Sequence, residues 1–240
     1  MKLSKRLKQI EQMVTAEYDH IWDCCCDHGF LGAALLSRLA RCNADSFNAS
    51  ESNNKSQIHF VDIVPELMAQ LENKLEQFYP PSKEIASWKT HCIDVATLPL
   101  AQYKGKPLVI IAGVGGDLMM EFINAIYAQH QSVDIDFLLC PVHHQFALRQ
   151  RLIELDFGLK KEVLVEENKR FYEVIYVSTK KADYRNVDAV GKELWEYNTE
   201  QQAQTVKKYL SKTLRHYQRM QQGSIHNVEH IIDAYKQVLI

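Results

Sequence analysis

The sequence predicts an α/β protein in which a doubly wound, mostly parallel sheet is followed by a C-terminal helical coiled-coil hairpin. Five apolar stretches of strand length are interspersed with helical stretches, which is the order that builds a parallel sheet. Two more strand-like stretches follow in succession and predict an antiparallel edge. The tail differs, because residues 193 to 222 contain neither glycine nor proline and therefore predict one long helix.

Composition places the chain among ordinary globular proteins, with 46% hydrophobic and 24% charged residues in a length of 240. The formal net charge of -2 excludes an overall basic nucleic-acid binder but allows a local basic face. The basic N-terminus does not open a signal peptide, since Glu11 and Glu17 interrupt the apolar core that one needs. No apolar stretch approaches the roughly 20 residues of a membrane helix. We therefore expect a cytoplasmic protein with no membrane contact.

The elements follow from local periodicity. An amphipathic helix is predicted over residues 3–14, where Leu3, Leu7, Ile10 and Val14 share one face. The alternating elements are predicted as strand His20–Cys26, helix Leu31–Cys42, strand Ile58–Ile63, a helix from Pro65 to residue 78, strand Trp88–Ile93, strand Leu108–Ala112, helix 117–129, strand Asp136–Cys140 and a helix ending at residue 155. Strands Lys160–Glu166 and Tyr172–Ser178 close the sheet, and the polar residues 43–57 predict a surface loop.

The tail predicts two helices joined by a tight turn. Its first helix carries a 4-3-4-3 apolar seam that is typical of a coiled coil: Val206, Leu210, Thr213, Tyr217 and Met220. Gly223 and Ser224 end this helix, and a second apolar stripe runs from Ile225 to Leu239. We therefore predict one domain over residues 1–185, including the N-terminal helix, and a helical hairpin domain over residues 190–240.

Unusual residues concentrate where the predicted strands end, and ligands of doubly wound sheets bind outside the carboxyl ends of the strands. These ends hold Asp23–Gly29, Asp62, Asp94, Gly113–Gly116 and Pro141–His144. An aspartate after the second strand suits a bidentate grip on ribose hydroxyls, in NAD and in S-adenosylmethionine alike. A helix N-cap ahead of the next helix is the alternative role for this aspartate.

The first turn favours one of these two cofactors. A dinucleotide site needs G-x-G-x-x-G, whereas this turn has one glycine and reads Asp-Cys-Cys-Cys-Asp-His-Gly from Asp23. Its two carboxylates would repel a pyrophosphate and would suit a ligand that carries a sulfonium and an ammonium. Zinc bound by Cys24, Cys26 and His28 is the alternative, but the second ligand pair of a structural zinc site is missing. We expect no metal, and we expect the six cysteines to be free thiols that mostly pack as small apolar groups.

Several motifs occur in one order over most of the chain: Leu3-Ser-Lys-Arg-Leu7, Asp23-x-x-x-Asp27-His28, Asp62, Asp94, Ala112-Gly-Val-Gly-Gly116, the Pro141 turn and Phe171-Tyr-Glu-Val174. This ordered set resembles the bacterial tRNA (adenine-22-N1)-methyltransferase family, TrmK. That family joins a class I, Rossmann-like, S-adenosylmethionine-dependent methyltransferase domain to a C-terminal coiled-coil domain. The resemblance implies that a methyl group is transferred to N1 of an adenine in the D-arm region of tRNA.

The resemblance also implies the residues that hold S-adenosyl-L-methionine: Asp23, Cys25, Asp27, His28 and Gly29 at the methionine part, Asp62 and Ile63 at the ribose, Asp94 and Val95 at the adenine, and Gly113 and Gly115 on the sulfonium side. Two positions depart from the family. Cys25 stands where glycine is usual, so cofactor affinity should fall if the backbone there must be bare or left-handed. Val142 stands where an asparagine could hold an adenine amine. Another RNA position, a small molecule or protein substrate, and a catalytically inactive binding module therefore remain alternatives.

The catalytic candidates are Asp27, His144 and Pro141, and no general base is assigned because adenine N1 has its own lone pair. His144 could compensate for Val142. Phosphate contacts are predicted at basic residues: Lys5, Arg6, Lys8, Arg170, Lys208, Lys212 and Arg215, with Lys169, Lys207 and Arg219 nearby. A solvated helix face is the alternative for the basic residues of the tail. The target base must leave its stack, and Phe30, His144 or Tyr172 could stack on it. We expect a monomer or a weak dimer.

Overall fold

The computed structural model describes residues 3–15, 18–45, 56–80, 87–223 and 227–240. In chain order its strands are β1 His20–Cys24, β2 Gln57–Asp62, β3 Trp88–Cys92, β4 Pro107–Ala112, β5 Asp136–Cys140, β6 Gly158–Glu167, β7 Arg170–Ser178 and β8 Arg185–Asn186. Its helices are α1 Lys5–Met13, α2 Phe30–Asp45, α3 Pro65–Phe78, α4 Gly116–Gln129, α5 Gln145–Glu154, α6 Glu200–Gln222 and α7 Glu229–Lys236.

The strands form one sheet in the order β3-β2-β1-β4-β5-β7-β6-β8. Strands β1 to β5 run parallel, whereas β7, β6 and β8 join as antiparallel partners. The predicted doubly wound sheet with an antiparallel edge is therefore confirmed. Strand order reverses between β1 and β4, and this reversal opens a crevice at their carboxyl ends.

Helices cover both faces of the sheet, as a parallel sheet requires. One buried cluster joins the sheet to α1, α2 and α3 through residues such as Ile10, Leu35 and Leu71. A second cluster joins the opposite face to α4 and α5 through residues such as Ile123 and Leu148. The apolar face that predicted α1, with Leu7, Ile10 and Val14, therefore packs in the first of these clusters.

Two elements near the N-terminus are shorter than predicted. Helix α1 begins at Lys5 rather than at residue 3, because the Ser4 Oγ accepts a hydrogen bond from the Leu7 N–H at 3.2 Å and caps the helix. Strand β1 ends at Cys24 rather than Cys26, because Cys25 turns into the left-handed region with φ 56°. Helix α2 continues to Asp45, into the predicted loop, and the rest of that loop up to residue 55 lies outside the described residues.

The tail helix begins at Glu200, so the prediction of a helix from residue 193 is wrong for its first turns. Thr199 forms a capping box with Gln202, in which each side chain accepts the other residue's backbone N–H at 3.2 and 3.1 Å. Residues 192–195 form a separate short turn that buries Leu194 and Trp195. The predicted turn residue Ser224 and the start at Ile225 lie outside the described residues, and α7 covers Glu229–Lys236.

A buried arginine joins the tail to the sheet. The Arg149 Nε donates to Glu173 Oε2 at 2.7 Å, and its Nη1 lies 2.7 Å from Glu162 Oε2. The Tyr209 hydroxyl of α6 donates to the other oxygen of Glu173. Phe146 of α5 also packs in one core with residues of α6 and α7. The helical hairpin is therefore fixed to the α/β domain by both charge and apolar contact.

The cysteines whose side chains the structure describes are all free. Cys24, Cys26 and Cys140 are buried, Cys25 is half-buried and Cys92 is exposed, which agrees with the prediction that most of these thiols pack as small apolar groups. In the described ranges, no helix combines the length and apolarity that crossing a bilayer requires.

Three histidines form a hydrogen-bonded row across β1, β2 and β3. The His20 Nδ1 lies 3.0 Å from His59 Nε2, and His59 Nδ1 lies 2.9 Å from His91 Nε2. His59 is fully buried and stacks on Trp22 at 3.9 Å, with Tyr103 edge-on to its ring. Burial lowers the pKa of His59 to about 2, and His91, His20 and Lys89 add to the effect. His59 is therefore neutral in the folded protein at every ordinary pH.

We expect the free energy of unfolding to fall as the pH drops below about 6.5, because unfolded His59 gains a proton that the folded protein rejects. The folded-state pKa is depressed, so the loss continues downward at about 1.4 kcal/mol per pH unit. Urea unfolding over this range should show the slope, and His59→Gln should reduce it. Part of the slope should remain, because burial also lowers the pKa of His91. His230→Gln changes an exposed histidine and should leave the slope unchanged. Equal slopes in all three proteins would contradict the expectation.

Candidate active site

A cavity of about 260 Å³ lies at the carboxyl end of β1, beside the reversal of strand order. Its lining residues come from four segments: Arg6 and Leu7, Asp23 to His28 without Cys24, Phe30 and Leu31, and Ala112 and Gly113. The structure thus brings together the predicted residues Asp23, Cys25, Asp27, His28 and Gly113. The sequence interpretation missed Leu7 and Ala112 as lining residues, although both belong to motifs that it singled out.

The first turn has an unusual backbone, with positive φ at Cys25 (56°), Asp27 (49°) and Gly29 (69°). Two hydrogen bonds attach it to β2. The Cys26 N–H donates to the Val61 carbonyl at 3.1 Å, and the Asp27 N–H donates to Asp62 Oδ2 at 3.1 Å. The turn that lines the cavity and the aspartate at the end of β2 therefore form one unit.

Cys25→Gly should raise the free energy of unfolding by about 1 kcal/mol, because glycine occupies the left-handed region without the strain that a Cβ imposes. Cys25→Ala is the matched control, since it removes the thiol and keeps the Cβ. Urea unfolding of both variants distinguishes backbone strain from loss of the sulfur. Equal stabilities of the two variants would show that Cys25 carries no strain.

Asp23 is the buried acid of the cavity. Its Oδ2 accepts a hydrogen bond from the Gly32 N–H at 2.9 Å in the first turn of α2. Burial raises the pKa of the Asp23 carboxyl to about 7; the Gly32 N–H opposes this rise, and the Asp62 charge adds to it. A cation that enters the cavity would favour the ionised form of Asp23, so the site attracts positive ligand groups.

The three glycines that were predicted to contact the cofactor have different surroundings. A Cβ on Gly29 would lie 2.5 Å from Leu71 Cδ1, so Gly29 allows the turn to pack on α3. A Cβ on Gly113, where φ is 93°, would meet nothing within 4 Å. A Cβ on Gly115 would overlap the His143 ring, so Gly115 faces the loop after β5. Of the three, Gly113 is the one that offers bare backbone to open space in the cavity.

The ends of β2 and β3 carry the remaining predicted cofactor residues, outside the cavity. Ile63 is 65% exposed directly after Asp62, which is unusual for a large apolar side chain. Asp94 is exposed, and its Oδ1 accepts the Ala96 N–H at 2.8 Å. The Val95 side chain is buried in the core, so Val95 has only its backbone to offer a ligand.

The loop after β5 is tied to the loop after β4. The Gly116 N–H donates to the His143 carbonyl at 3.0 Å, and the Val142 N–H donates to the Val114 carbonyl at 3.0 Å. His144 has φ 60°, and its Nδ1 lies 2.7 Å from Asp117 Oδ2. Pro141, the first residue of the loop after β5, is buried. Asp117, which orients His144, was missed because no sequence pattern connects the two positions.

Two adjoining grooves lie between this loop, the β6–β7 hairpin and α6. The first, of about 480 Å³, is lined by Val142 to Gln145, Arg170 to Tyr172 and residues of α6 and α7 that include Lys212, His216 and Arg219. The second, of about 540 Å³, is lined by Glu166, Lys169, Phe171, Lys207, Lys208, Ser211, Lys212 and Arg215. Phe171 and Lys212 line both grooves. Together the grooves form a basic surface that extends from His144 along α6.

The other predicted phosphate contacts lie apart from this surface. The Lys8 ammonium pairs with Glu11 at 2.7 Å. Lys5 lines a separate groove between α1 and the start of α6. Arg6 lies in the cavity at the end of β1. Over the described part of the chain, no cluster of three or more His, Cys, Asp or Glu side chains is arranged to hold a metal ion.

A model of the methyltransferase domain family matches residues 3–175. Among solved structures, TrmK of M. capricolum in complex with S-adenosyl-homocysteine is 16% identical at a TM-score of 0.69, covering 99% of this chain and 97% of that one. The B. subtilis m1A22 tRNA methyltransferase TrmK is 18% identical at 0.64, covering 98% and 94%. A Streptococcus pneumoniae protein in complex with S-adenosyl-L-methionine is 19% identical at 0.67, covering all of both chains. No curated protein sequence matches the chain.

Proposed function

This chain belongs to the methyltransferase domain family, and we propose that it transfers a methyl group from S-adenosyl-L-methionine to N1 of adenine 22 in tRNA. The proposal rests chiefly on one observation. The likeness to the M. capricolum and B. subtilis TrmK structures covers nearly the whole chain and extends into the C-terminal helices. A tRNA substrate would place the protein in the cytoplasm, and the monomer or weak dimer stays a prediction.

The residues of the cavity fit S-adenosyl-L-methionine. The Asp23 and Asp27 carboxylates suit its ammonium and sulfonium, and Gly113 leaves space where a side chain would stand. The Asp62 oxygens each accept one backbone N–H, from Asp27 at 3.1 Å and from Val64 at 3.2 Å. Each oxygen keeps a lone pair for a ribose hydroxyl. The roles in ribose binding and in local capping are therefore compatible.

The adenine end of the cofactor would lie over Ile63, whose exposed apolar surface suits a flat base. Asp94 could accept the exocyclic amine with Oδ2, because Oδ1 is engaged by Ala96. The chemistry that the bound cofactor supplies is an electrophilic methyl group on sulfur. The protein's task is then to hold an acceptor nitrogen in line with that methyl group.

Adenine N1 attacks through its own lone pair, so the chain needs to supply position and electrostatic support rather than a strong base. Methyl transfer moves the positive charge from the sulfur of the cofactor to the target adenine. The Asp27 carboxylate lines the cavity, and its negative charge would stabilise that cationic product. Val142 lacks the amide that could hold the adenine amine. His144 can replace that amide, because a Nδ1–H donated to Asp117 leaves Nε2 of the neutral ring as an acceptor.

The two basic grooves supply phosphate contacts for the RNA. Arg170, Lys208, Lys212 and Arg215 line them together, and the Lys212 ammonium lies 5.4 Å from the centre of the Phe171 ring. Neutralising several phosphates releases counterions, so tRNA binding should weaken steeply with salt. Tyr172 lies in the groove next to Arg170 and could stack on an exposed base.

Two experiments test the proposal. Calorimetric titration with S-adenosylhomocysteine should show binding. Absence of binding at high micromolar ligand would exclude a methyltransferase and leave the alternative of a catalytically inactive binding module. Mass spectrometry of tRNA nucleosides from cells that lack the gene should show loss of 1-methyladenosine. Full retention of that nucleoside, together with cofactor binding, would instead indicate another methyl acceptor.

A further inference from the structure

The first of the two basic grooves, of about 480 Å³, lies beside the cofactor cavity. Tyr172 lines this groove, and its ring centre lies 5.0 Å from the guanidinium carbon of Arg6, which lines the cavity. His144 lines the groove from the loop after β5, and His216 lines it from α6. A methyl acceptor in this groove would therefore be next to the cofactor, and the helical hairpin would form part of its binding site.

The groove differs in charge from the cavity. The cavity holds the Asp23 and Asp27 carboxylates, whereas none of the described residues that line the groove is acidic. Eight of these lining residues carry an aromatic or imidazole ring, and three carry a permanent positive charge: Arg170, Lys212 and Arg219. Rings that can stack on a base, together with cations that can neutralise phosphates, complement an RNA nucleotide. The same cations would repel a sulfonium, so the groove suits the acceptor rather than the cofactor.

The wall that α6 contributes is held in place by the core of the tail. Tyr217 lies beside His216, with ring centres 5.1 Å apart, and stacks on the buried Tyr235 of α7 at 6.0 Å. The buried Tyr209 also lines the groove, and its hydroxyl donates to Glu173 of β7. A base that enters the groove therefore meets rings that are already ordered, which lowers the entropic cost of binding.

His216 is the exposed ring of this wall. Partial desolvation lowers the pKa of its imidazole, and Arg219 and His144 lower it further. His216 is therefore mainly neutral at pH 7, and the effect of His144 places the two imidazoles on the same groove. A neutral imidazole can stack on an unpaired base, but it neutralises no phosphate.

We propose that His216 of α6 and Tyr172 of β7 form two walls of the pocket that takes the target adenine, so that the helical hairpin contacts the reacting base as well as the RNA backbone. His144 then faces the exocyclic amine of that base. Lys212 and Arg219 contact the flanking phosphates. This inference rests on the proposed function, and it assigns part of the acceptor recognition to α6.

His216→Ala should lower kcat/KM for tRNA methylation about tenfold or more, because it removes a stacking contact with one base. His216→Phe keeps a flat ring and should retain most of the activity. Both variants should bind S-adenosylhomocysteine like the wild type, since none of the described cavity residues belongs to α6. Gln218→Ala is the control, because it changes an exposed residue of the same helix that lines neither groove. It should leave the activity unchanged.

The salt dependence of tRNA binding separates base contact from phosphate contact. His216→Ala should leave the slope of log affinity against log salt unchanged, whereas Lys212→Gln should reduce it by about one. A tRNA with an abasic site at position 22 gives the second readout, with S-adenosylhomocysteine present throughout. The preference for the adenine transcript over the abasic transcript should be about tenfold smaller in His216→Ala than in the wild type, and His216→Phe should restore it.

Two outcomes would overturn this inference and leave the proposed function intact. Wild-type activity of His216→Ala would show that the target base does not contact this wall. Equal loss of affinity for the adenine and abasic transcripts would make His216 part of the general RNA surface. Absence of 1-methyladenosine with the wild-type protein would overturn the proposed function itself and the inference with it.

Discussion

Gly113→Ala should lower the affinity for S-adenosylhomocysteine by about ten- to a hundredfold. The added methyl group meets no atom of the protein within 4 Å, so it would stand in the open space that the ligand fills. The backbone there has φ 93°, so a stability loss of about 1 kcal/mol should accompany the change. Calorimetry and urea unfolding measure the two effects separately.

Gly105→Ala is a control for lost stability without a change in the cavity. Gly105 also has positive φ, at 117°, and lies outside the cavity, where an added Cβ would overlap the Asp19 side chain and cost more stability than the Cβ at Gly113. This variant should lose stability and bind S-adenosylhomocysteine like the wild type. Unchanged affinity in Gly113→Ala, or equal losses of affinity in both variants, would show that the ligand does not pack on the backbone at Gly113.

Arg149→Met should destabilise the fold by about 3–5 kcal/mol. Arg149 is fully buried between the Glu162 and Glu173 carboxylates, and its removal leaves both without a cationic partner. Burial already raises the pKa of the Glu162 carboxyl, so this group should become protonated in the variant. The stability deficit should therefore shrink as the pH is lowered toward about 5.

Arg151→Met provides the control on the same helix. Arg151 bonds Asn124 Oδ1 at 2.7 Å and Glu154 at 2.8 Å near the surface, where such contacts contribute about 1 kcal/mol or less. Urea unfolding of the two variants should separate them clearly. Similar losses in both would contradict the view that the buried cluster holds the tail helices to the sheet.

The sheet could be predicted because its signals are local. Apolar stretches alternate with amphipathic ones, and the aspartates at strand ends interrupt that pattern where a ligand would bind. The start of α6 was misplaced even though a local signal existed. Thr199 and Gln202 have the spacing of a capping box, which marks the start of a helix at Glu200. The stretch before Glu200 buries Trp195 in the core without forming an α-helix.

The site was predictable only in part, because some of its contacts join distant segments. Cys25 stands where glycine was expected, and its positive φ supplies the physical reason for that expectation. In contrast, the role of Asp117 depends on how α4 meets the loop after β5. Arg6 was assigned to the RNA surface because a basic helix start gives no information on where the helix packs.

The proposed reaction is methyl transfer to N1 of one tRNA adenine. The most direct test incubates the purified protein with S-adenosyl-L-methionine and two tRNA transcripts that differ only in having adenine or guanine at position 22. Mass spectrometry of the digested nucleosides should find 1-methyladenosine in the adenine transcript alone. No 1-methyladenosine in either transcript, or equal amounts in both, would contradict the claim.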